Sequence, residues 1–302
     1  MVRYLKIPKV VYLQEPFRRF YEAAPTLPWI GRADNGGTRS LAGRPGTFVA
    51  DHLELQGIRI QARREWTKAH SCDAILVNSQ YSRESVLRAY GCDATVCYLG
   101  IDTALFHNQR RTREKFVVGL GAFLVTKGID LAIQSVARLP EPRPKLVWVG
   151  NGGVPGHDQA MKGMADSCGV TFEARALVSD EELVETLNRA ALLIYTSRLE
   201  AFGFAPLEAN ACGAPVVAIA KGGVRESVRD GLNGFLVESE PDAIAQAMAR
   251  LLSDAALAKS TGERACEYVQ REWNVKRSVY RLEENLLRVV GGARRKAACF
   301  AH

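Results

Sequence analysis

Over residues 115–220 the apolar and polar positions repeat one unit: a short near-continuous apolar run, a glycine-bearing loop, then apolar residues at helical spacing. KFVVGLGAF (115–123), KLVWVG (145–150), VTFEARA (170–176), ALLIYTS (191–197) and APVVAIA (214–220) predict strands. KGIDLAIQSVARL (127–139) and SDEELVETLNRA (179–190) predict helices, and Ser179 with Glu182 forms the S-x-x-E of a capping box. Strands apolar on both sides and separated by helices predict a parallel sheet covered on both faces. This is a doubly wound α/β domain, a fold in which ligands sit beyond the carboxyl ends of the strands.

The first 115 residues are less regular. VVYL (10–13), AILVNS (74–79) and TVCYLGID (95–102) predict strands, and SRESVLRAYG (82–91) predicts a helix. WIGRADNGGTRSLAGRPGTFVA (29–50), rich in Gly and Arg, reads as a mobile loop. Three strands are few for a second Rossmann-type half, so this part reads as incomplete at its N-terminus. The predicted division is 1–115 for a partial first domain, 116–275 for the second, and 276–302 for a helix returning to the first and a tail.

Composition narrows the classes. With 302 residues, 47% hydrophobic and 24% charged, the chain has the make-up of a globular protein with room for two domains. No apolar run approaches the roughly 20 residues that span a bilayer, and the start, MVRYLKIPKVVYLQEP, lacks a signal-peptide core. Seven scattered cysteines without a CxxC read as reduced thiols, and a cytoplasmic location is expected, with peripheral contact at the inner membrane surface. The net charge of +7 resides in residues 1–115, the rest being balanced. That basic part could face anionic lipid or a phosphate-bearing substrate. Nucleic acid is not expected, since zinc-finger spacing, RNP-like aromatics and a basic zipper are all missing.

The candidate chemistry gathers at EAFGFAPLEANACGAPVV (200–217), where Glu200 and Glu208 flank Gly203 and Pro206. Spacing alone means little, because Glu173 and Glu181 repeat it. Context adds more: strand 191–197 leads toward Glu200, and Pro206 suits a first helical turn. Free N–H groups at a helix start form an anion site, and Gly203 allows a phosphate close approach. Glu208 and Glu200 can then accept from ribose or sugar hydroxyls. The alternative, that both merely favour a helix N-terminus, stays open from these residues alone. GAFLVTKGID (121–130) adds Gly121 at a strand end and Lys127 at a helix start, where a lysine opposes the helix dipole but can neutralise a diphosphate. KGGVRESV (221–228) sets two more glycines on the same edge, and GNGG (150–153) is a weaker Gly-rich loop.

Taken together, GAFLVTKGID, LVWVGNGG, LVSDEELVETLNRAALLIYTSRLEAFGFAPLEANACGAPVVA, KGGVRESVRDGLNGFLV and REWNVKRSVYRLEENL resemble the retaining glycosyltransferases of family 4, which have the two-Rossmann GT-B fold. VNSQYSRESVLRAYG, CYLGIDTALF and YLQEPFRRFYE resemble parts of that family's first domain. The resemblance implies a UDP- or GDP-linked sugar donor, a glycan or lipid-linked acceptor, hexosyl transfer with retention, and no metal. It implies that Glu208 holds the ribose hydroxyls and Lys127 the diphosphate. Glu200 and the backbone of Ala201, Phe202, Gly203 and Phe204 would hold the hexose and phosphate, and Leu177 and Val178 the base. Lys127 and Glu200 are the implied catalytic pair.

Two departures stand out. Ala122 occupies the place of an arginine usual in the family, and loss of one such cation costs on the order of 10²–10³ in rate. The family's opening strand and Gly-rich acceptor loop are not found, and Gln14 stands where relatives often have histidine. A separate chain completing the domain, a start further upstream, and loss of catalysis are the three readings this leaves. The alternative function is therefore a noncatalytic nucleotide-sugar-binding or partner subunit. A nicotinamide dehydrogenase is disfavoured, because no G-x-G-x-x-G opens a helix with an acid about 20 residues on.

Overall fold

The computed structural model describes residues 7–17, 21 and 45–299. The chain divides into two compact units, Met1–Cys97 with Glu283–His302, and Tyr98–Leu282.

In the first unit, β1 (Val10–Leu13), α1 (Pro45–His70), β2 (Ala74–Val77), α2 (Gln80–Tyr90) and β3 (Thr95–Val96) follow in order. The strands form a parallel sheet in the order β1-β2-β3, with Val10 opposite Ala74 and Leu76 opposite Thr95. Ile75 and Val77 bury their side chains with Val86, Tyr90 and Ala69. Helix α2 starts where Ser79 Oγ accepts from Ser82 N at 2.9 Å, and stops at Gly91, which takes the left-handed conformation. The expected loop over 29–50 needs correction at its end, since residues 45–50 open helix α1; residues 29–44 lie outside the described residues. Pro45 suits the first helical position, but the apolar residues of α1 are not gathered on one stripe, so its periodicity is weak.

The second unit carries the predicted repeat. Its elements are β4 (Glu114–Leu120), a 3₁₀ turn (Val125–Lys127), α3 (Ile129–Ala137), β5 (Lys145–Gly150), α4 (His157–Ser167), β6 (Phe172–Ala176), α5 (Asp180–Arg189), β7 (Ala190–Tyr195) and α6 (Phe204–Ala211). They continue through β8 (Val216–Ile219), α7 (Val224–Ser227), β9 (Gly234–Val237), α8 (Pro241–Ser253) and α9 (Ala255–Glu272). A last helix, α10 (Val275–Cys299), begins in this unit, and its residues from Glu283 belong to the first. Every strand pairing in the six-stranded sheet is parallel.

Alternation along the strands builds two cores. Val117, Leu146, Trp148, Leu192, Ile194 and Val217 face α3 and α8, whereas Val118, Val147, Leu193, Tyr195 and Val216 face α5, α6 and α9. Burying aliphatic side chains on both faces contributes about 1.5–3 kcal/mol each, which fixes the positions of the strand ends. The capping box is present: Ser179 Oγ accepts from Glu182 N, and the Glu182 carboxylate accepts from Ser179 N at 2.9 Å.

The sheet order is β6-β5-β4-β7-β8-β9. Successive strands move outward one way from β4 to β6, and the other way from β7 to β9. The direction therefore reverses between β4 and β7, the two central strands. In an open parallel sheet the loops leaving such a pair part to opposite faces and leave a crevice at their carboxyl ends.

Candidate active site

The two loops that leave the switch point hold the expected residues. After β4 the chain passes Gly121 and reaches Lys127 in the 3₁₀ turn, just before α3. After β7 it passes Ser197 and reaches Glu200. The Lys127 ammonium donates to Glu200 Oε2 at 2.8 Å, with the two side chains 24% and 18% exposed. Lys127 is thus an internal partner rather than a solvent lysine. Gly121 makes its path possible: φ is +151°, and a Cβ there would press on Lys127 Cγ and Cδ at 3.1 Å.

The same carboxylate oxygen takes two further donors. Tyr195 OH donates to Glu200 Oε2 at 2.6 Å and Ser197 Oγ at 3.3 Å. Burial opposes ionisation of Glu200, but the Lys127 charge and the bonds from Lys127, Tyr195 and Ser197 outweigh it, so its pKa lies below the ordinary glutamate value. Burial, with the Glu200 carboxylate next, pushes the Tyr195 phenol well up and keeps it a donor.

Arg198 ties the loops together. Its guanidinium grips Asp130 with two bonds of 2.9 and 2.7 Å and donates to Val125 O at 2.8 Å, while its backbone N–H donates to Thr126 O at 2.8 Å. From the other side, Gly223 N donates to Glu200 O at 2.9 Å. A side chain at Gly222 would strike the Glu200 carbonyl, and one at Gly223 the Ala201 carbonyl. The KGG stretch therefore braces the Glu200 loop by close backbone contact.

Gly203, with φ +93°, starts α6 without any side-chain cap. The first-turn amides of that helix leave a positive end at this edge of the sheet. Ala201 is buried, and the Phe202 side chain packs edge-to-face on Phe204 at 5.2 Å and against Trp273 at 5.3 Å. Phe202 can offer only its backbone to a ligand. One turn inside α6, Glu208 has no hydrogen-bond or ion-pair partner among the described residues, and burial, then the Asp180 carboxylate, pushes its carboxyl up to about 7. Its charge also bears on Tyr195, which links the two glutamates electrostatically.

Leu177 lies apart from this cluster, in the loop after β6. It is 81% exposed and takes φ +56°, a left-handed conformation uncommon for a branched side chain; its N–H donates to Asn151 Oδ1 at 3.0 Å. Val178 beside it packs onto the core, and the loop runs into Asp180, the carboxylate that acts on Glu208. The structure thus brings together Gly121, Lys127, Glu200, Ala201, Gly203 and Glu208, with Leu177 and Val178 on the loop that leaves edge strand β6.

Tyr195, Ser197, Asp130 and Arg198 are not among the expected site residues. A hydroxyl-bearing residue ending the otherwise aliphatic run ALLIY is the one mark of Tyr195 in the sequence. Among the described residues no group of three His, Cys, Asp or Glu could hold a metal ion. A separate groove of about 510 Å³ between α5 and the sheet is lined by charges that neutralise one another: Glu173 binds Lys145 and Arg175 beside it, and Arg189 binds Glu114 and Glu185.

The profile of the glycosyl transferases group 1 family matches residues 101–268. Among curated proteins, the chain is similar to D-inositol 3-phosphate glycosyltransferase of Mycolicibacterium smegmatis, 27% identical over 229 residues (69% of this chain, 52% of that protein). It is 30% identical over 224 residues to the same-named protein of Kribbella flavida (66% and 53%). The chain spans about half the length of these relatives. Among solved structures, sucrose-phosphate synthase from Thermosynechococcus elongatus matches with a TM-score of 0.67 at 25% identity, over 78% of this chain and 62% of that one. HepE of Anabaena, solved with UDP and glucose, matches in fold with a TM-score of 0.68 at 24% identity, over 74% and 66%. The α/β fold with parallel sheets is that of these GT-B structures. With more than half of its length matched, and the matched part containing every strand of the six-stranded sheet, the chain belongs to the glycosyl transferases group 1 family.

Proposed function

We propose that this chain binds a UDP- or GDP-linked sugar at the switch point of its second unit. We further propose that it transfers the hexosyl group, with retention and without a metal, to a glycan or lipid-linked acceptor. The observation that carries the reading is the convergence of Lys127, Glu200 and Glu208 on the carboxyl ends of β4 and β7, beside the uncapped start of α6. Lys127 and the α6 amides neutralise the diphosphate and the charge that grows on it as the sugar leaves. Glu208, whose carboxylate has no hydrogen-bond or ion-pair partner among the described residues, accepts from the ribose hydroxyls. Glu200 accepts from the hexose, with the backbone of Ala201, Phe202, Gly203 and Phe204 lining the sugar and phosphate. Leu177, held open in its left-handed turn, lies with Val178 against the base.

No helix among the described residues is long and apolar enough to cross a membrane. A cytoplasmic protein whose basic first 115 residues contact an anionic membrane surface or a lipid-linked acceptor fits that charge distribution.

One observation favours a second reading, binding without turnover. Ala122 supplies no cation after Gly121, and Arg198, on the facing loop, is committed to Asp130. A thermal-shift panel of UDP-, GDP- and ADP-sugars, with NAD as control, tests donor binding. Stabilisation by one sugar nucleotide and not by NAD is expected, and no stabilisation by any of them removes the reading. Donor turnover by the purified chain separates transfer from binding alone.

A further inference from the structure

Three donors crowd one oxygen of Glu200. Lys127 Nζ, Tyr195 OH and Ser197 Oγ all reach Oε2, at 2.8, 2.6 and 3.3 Å, while Oε1 accepts from no side chain or amide among the described residues. The Glu200 side chain is nonetheless 18% exposed and Oε1 is not among the buried unpartnered atoms, so one oxygen is spent on the protein and the other is left accessible. Three donors give the group a single orientation, because rotation about its last bond would break the shortest of them.

The hydroxyl that makes that shortest bond has no surface role. Tyr195 is the last residue of β7, paired with Ala218 of β8, and its ring is 4% exposed within the core shared with α5, α6 and α9. A buried phenol normally finds a partner, and this one finds Glu200 instead of a backbone carbonyl. A phenylalanine would fill the same space with no polar atom to satisfy. The tyrosine therefore adds one thing to the strand end, a donor aimed at the carboxylate of the next loop.

We propose that Tyr195 is a positioning residue for Glu200: its hydroxyl, together with Lys127 and Ser197, holds Oε2 so that Oε1 alone is presented to a hydroxyl of the donor hexose. The inference rests on the donor reading for the identity of the ligand, but the hold on Glu200 stands on the geometry of the chain itself. It also gives Lys127 two tasks, since the ammonium shared with Glu200 is the one offered to the diphosphate. When a phosphate draws Lys127 away, Tyr195 and Ser197 keep the carboxylate in place. The charged and titratable groups bearing on this cluster are Lys127 on Glu200 and Glu208 on Tyr195; the Asp130–Arg198 pair fixes the Lys127 turn from outside. Glu208 favours the protonated phenol, and so favours donation.

The test uses Tyr195→Phe with Tyr268→Phe as control, because the Tyr268 hydroxyl is buried without a hydrogen-bond partner among the described residues. Carbon-13 labelling of glutamate carboxyls, with the Glu200 resonance assigned from Glu200→Gln, follows the titration of Glu200 in the ligand-free protein. Loss of a charge-assisted bond to the ionised form should raise its midpoint by about one pH unit in Tyr195→Phe. It should leave the midpoint unmoved in Tyr268→Phe. An unmoved midpoint in Tyr195→Phe, or equal shifts in both variants, overturns the hold.

The second arm compares UDP with UDP-glucose and GDP with GDP-mannose by calorimetry. Tyr195→Phe should bind the bare nucleotide as the wild type does and lose about tenfold for the sugar nucleotide, close to one hydrogen bond. Equal losses for nucleotide and sugar nucleotide overturn the assignment of Oε1 to the hexose. If the wild type binds none of these probes, the donor reading fails and the hexose assignment falls with it, while the titration still supports or overturns the hold on Glu200.

Discussion

Glu173 and Glu181 stand at the same spacing as Glu200 and Glu208, in the same sheet-and-helix unit. On β6, Glu173 is held by Lys145 at 2.7 Å and Arg175 at 2.6 Å, and those bonds, Arg175 first, lower its pKa. Glu181 lies in the first turn of α5, where a backbone N–H and Ser179 lower its pKa as well. Both carboxylates are ionised, satisfied and open to water. The second pair is driven apart: Glu200 is pulled below the usual range by Lys127, Tyr195 and Ser197 against its burial, and burial pushes Glu208 up to about 7. The difference comes from the strand ends. Neither residue of the first pair lies on a loop leaving β4 or β7, whereas the second pair straddles the exit of β7 beside the loop that brings Lys127. Two like groups set to different proton affinities in one crevice are the pattern that singles out a candidate site and support the proposed one, whereas two satisfied ones fit a solvated face.

The largest expected effect comes from Lys127→Ala. It should weaken UDP, GDP and ADP alike by about 10–100-fold, as loss of one charge-assisted phosphate contact does. Calorimetry with the three diphosphates checks this, and a loss confined to one base would give the lysine another role and blur the contrast. The next effect is on stability. A carboxyl whose folded pKa is raised costs nothing below the ordinary glutamate value, and costs progressively more as pH rises through about 7. Glu208→Gln should therefore raise the Tm of the ligand-free protein at pH 8 by about 2–4 °C, for roughly 1 kcal/mol, and change it little at pH 4.5. Melting curves at the two pH values decide it; equal gains at both would mean that charge burial is not the cause. The smallest effect belongs to the comparison pair. Glu173→Gln, in a network more than a third exposed, should change stability by less than about 1 kcal/mol and leave nucleotide affinity unaltered. A loss of nucleotide binding there would erase the distinction between the two pairs.

Much of the second unit is written in local pattern. Its five predicted strands and two predicted helices, and the Ser179 capping box, appear within three residues of the expected limits, because apolar runs and caps depend on neighbours in the chain. Lys127, Glu200 and Gly203 are legible for the same reason: each sits at the junction of a strand run and a helix start. Elements without a local mark are not legible. Helix α1 lacks an apolar stripe, and α4 buries only Ala165. Helices α8 and α9 carry apolar periodicity of their own but lie beyond the strand-loop-helix repeat that organises residues 115–220. Within the site, Asp130 meets Arg198 across 68 residues, and Tyr195 ends a run that reads only as buried strand. Nothing in EAFGFAPLEANACG shows that, among the described residues, Glu200 has three donors and Glu208 none, since those partners come from the fold.

Calorimetric titration of the purified chain with UDP-glucose and GDP-mannose, beside Glu208→Ala, tests the switch-point site most directly. Saturable one-to-one binding of at least one sugar nucleotide by the wild type, weakened about tenfold or more in Glu208→Ala, is the expected result. Equal affinity in the two proteins, or no binding by the wild type, would contradict it.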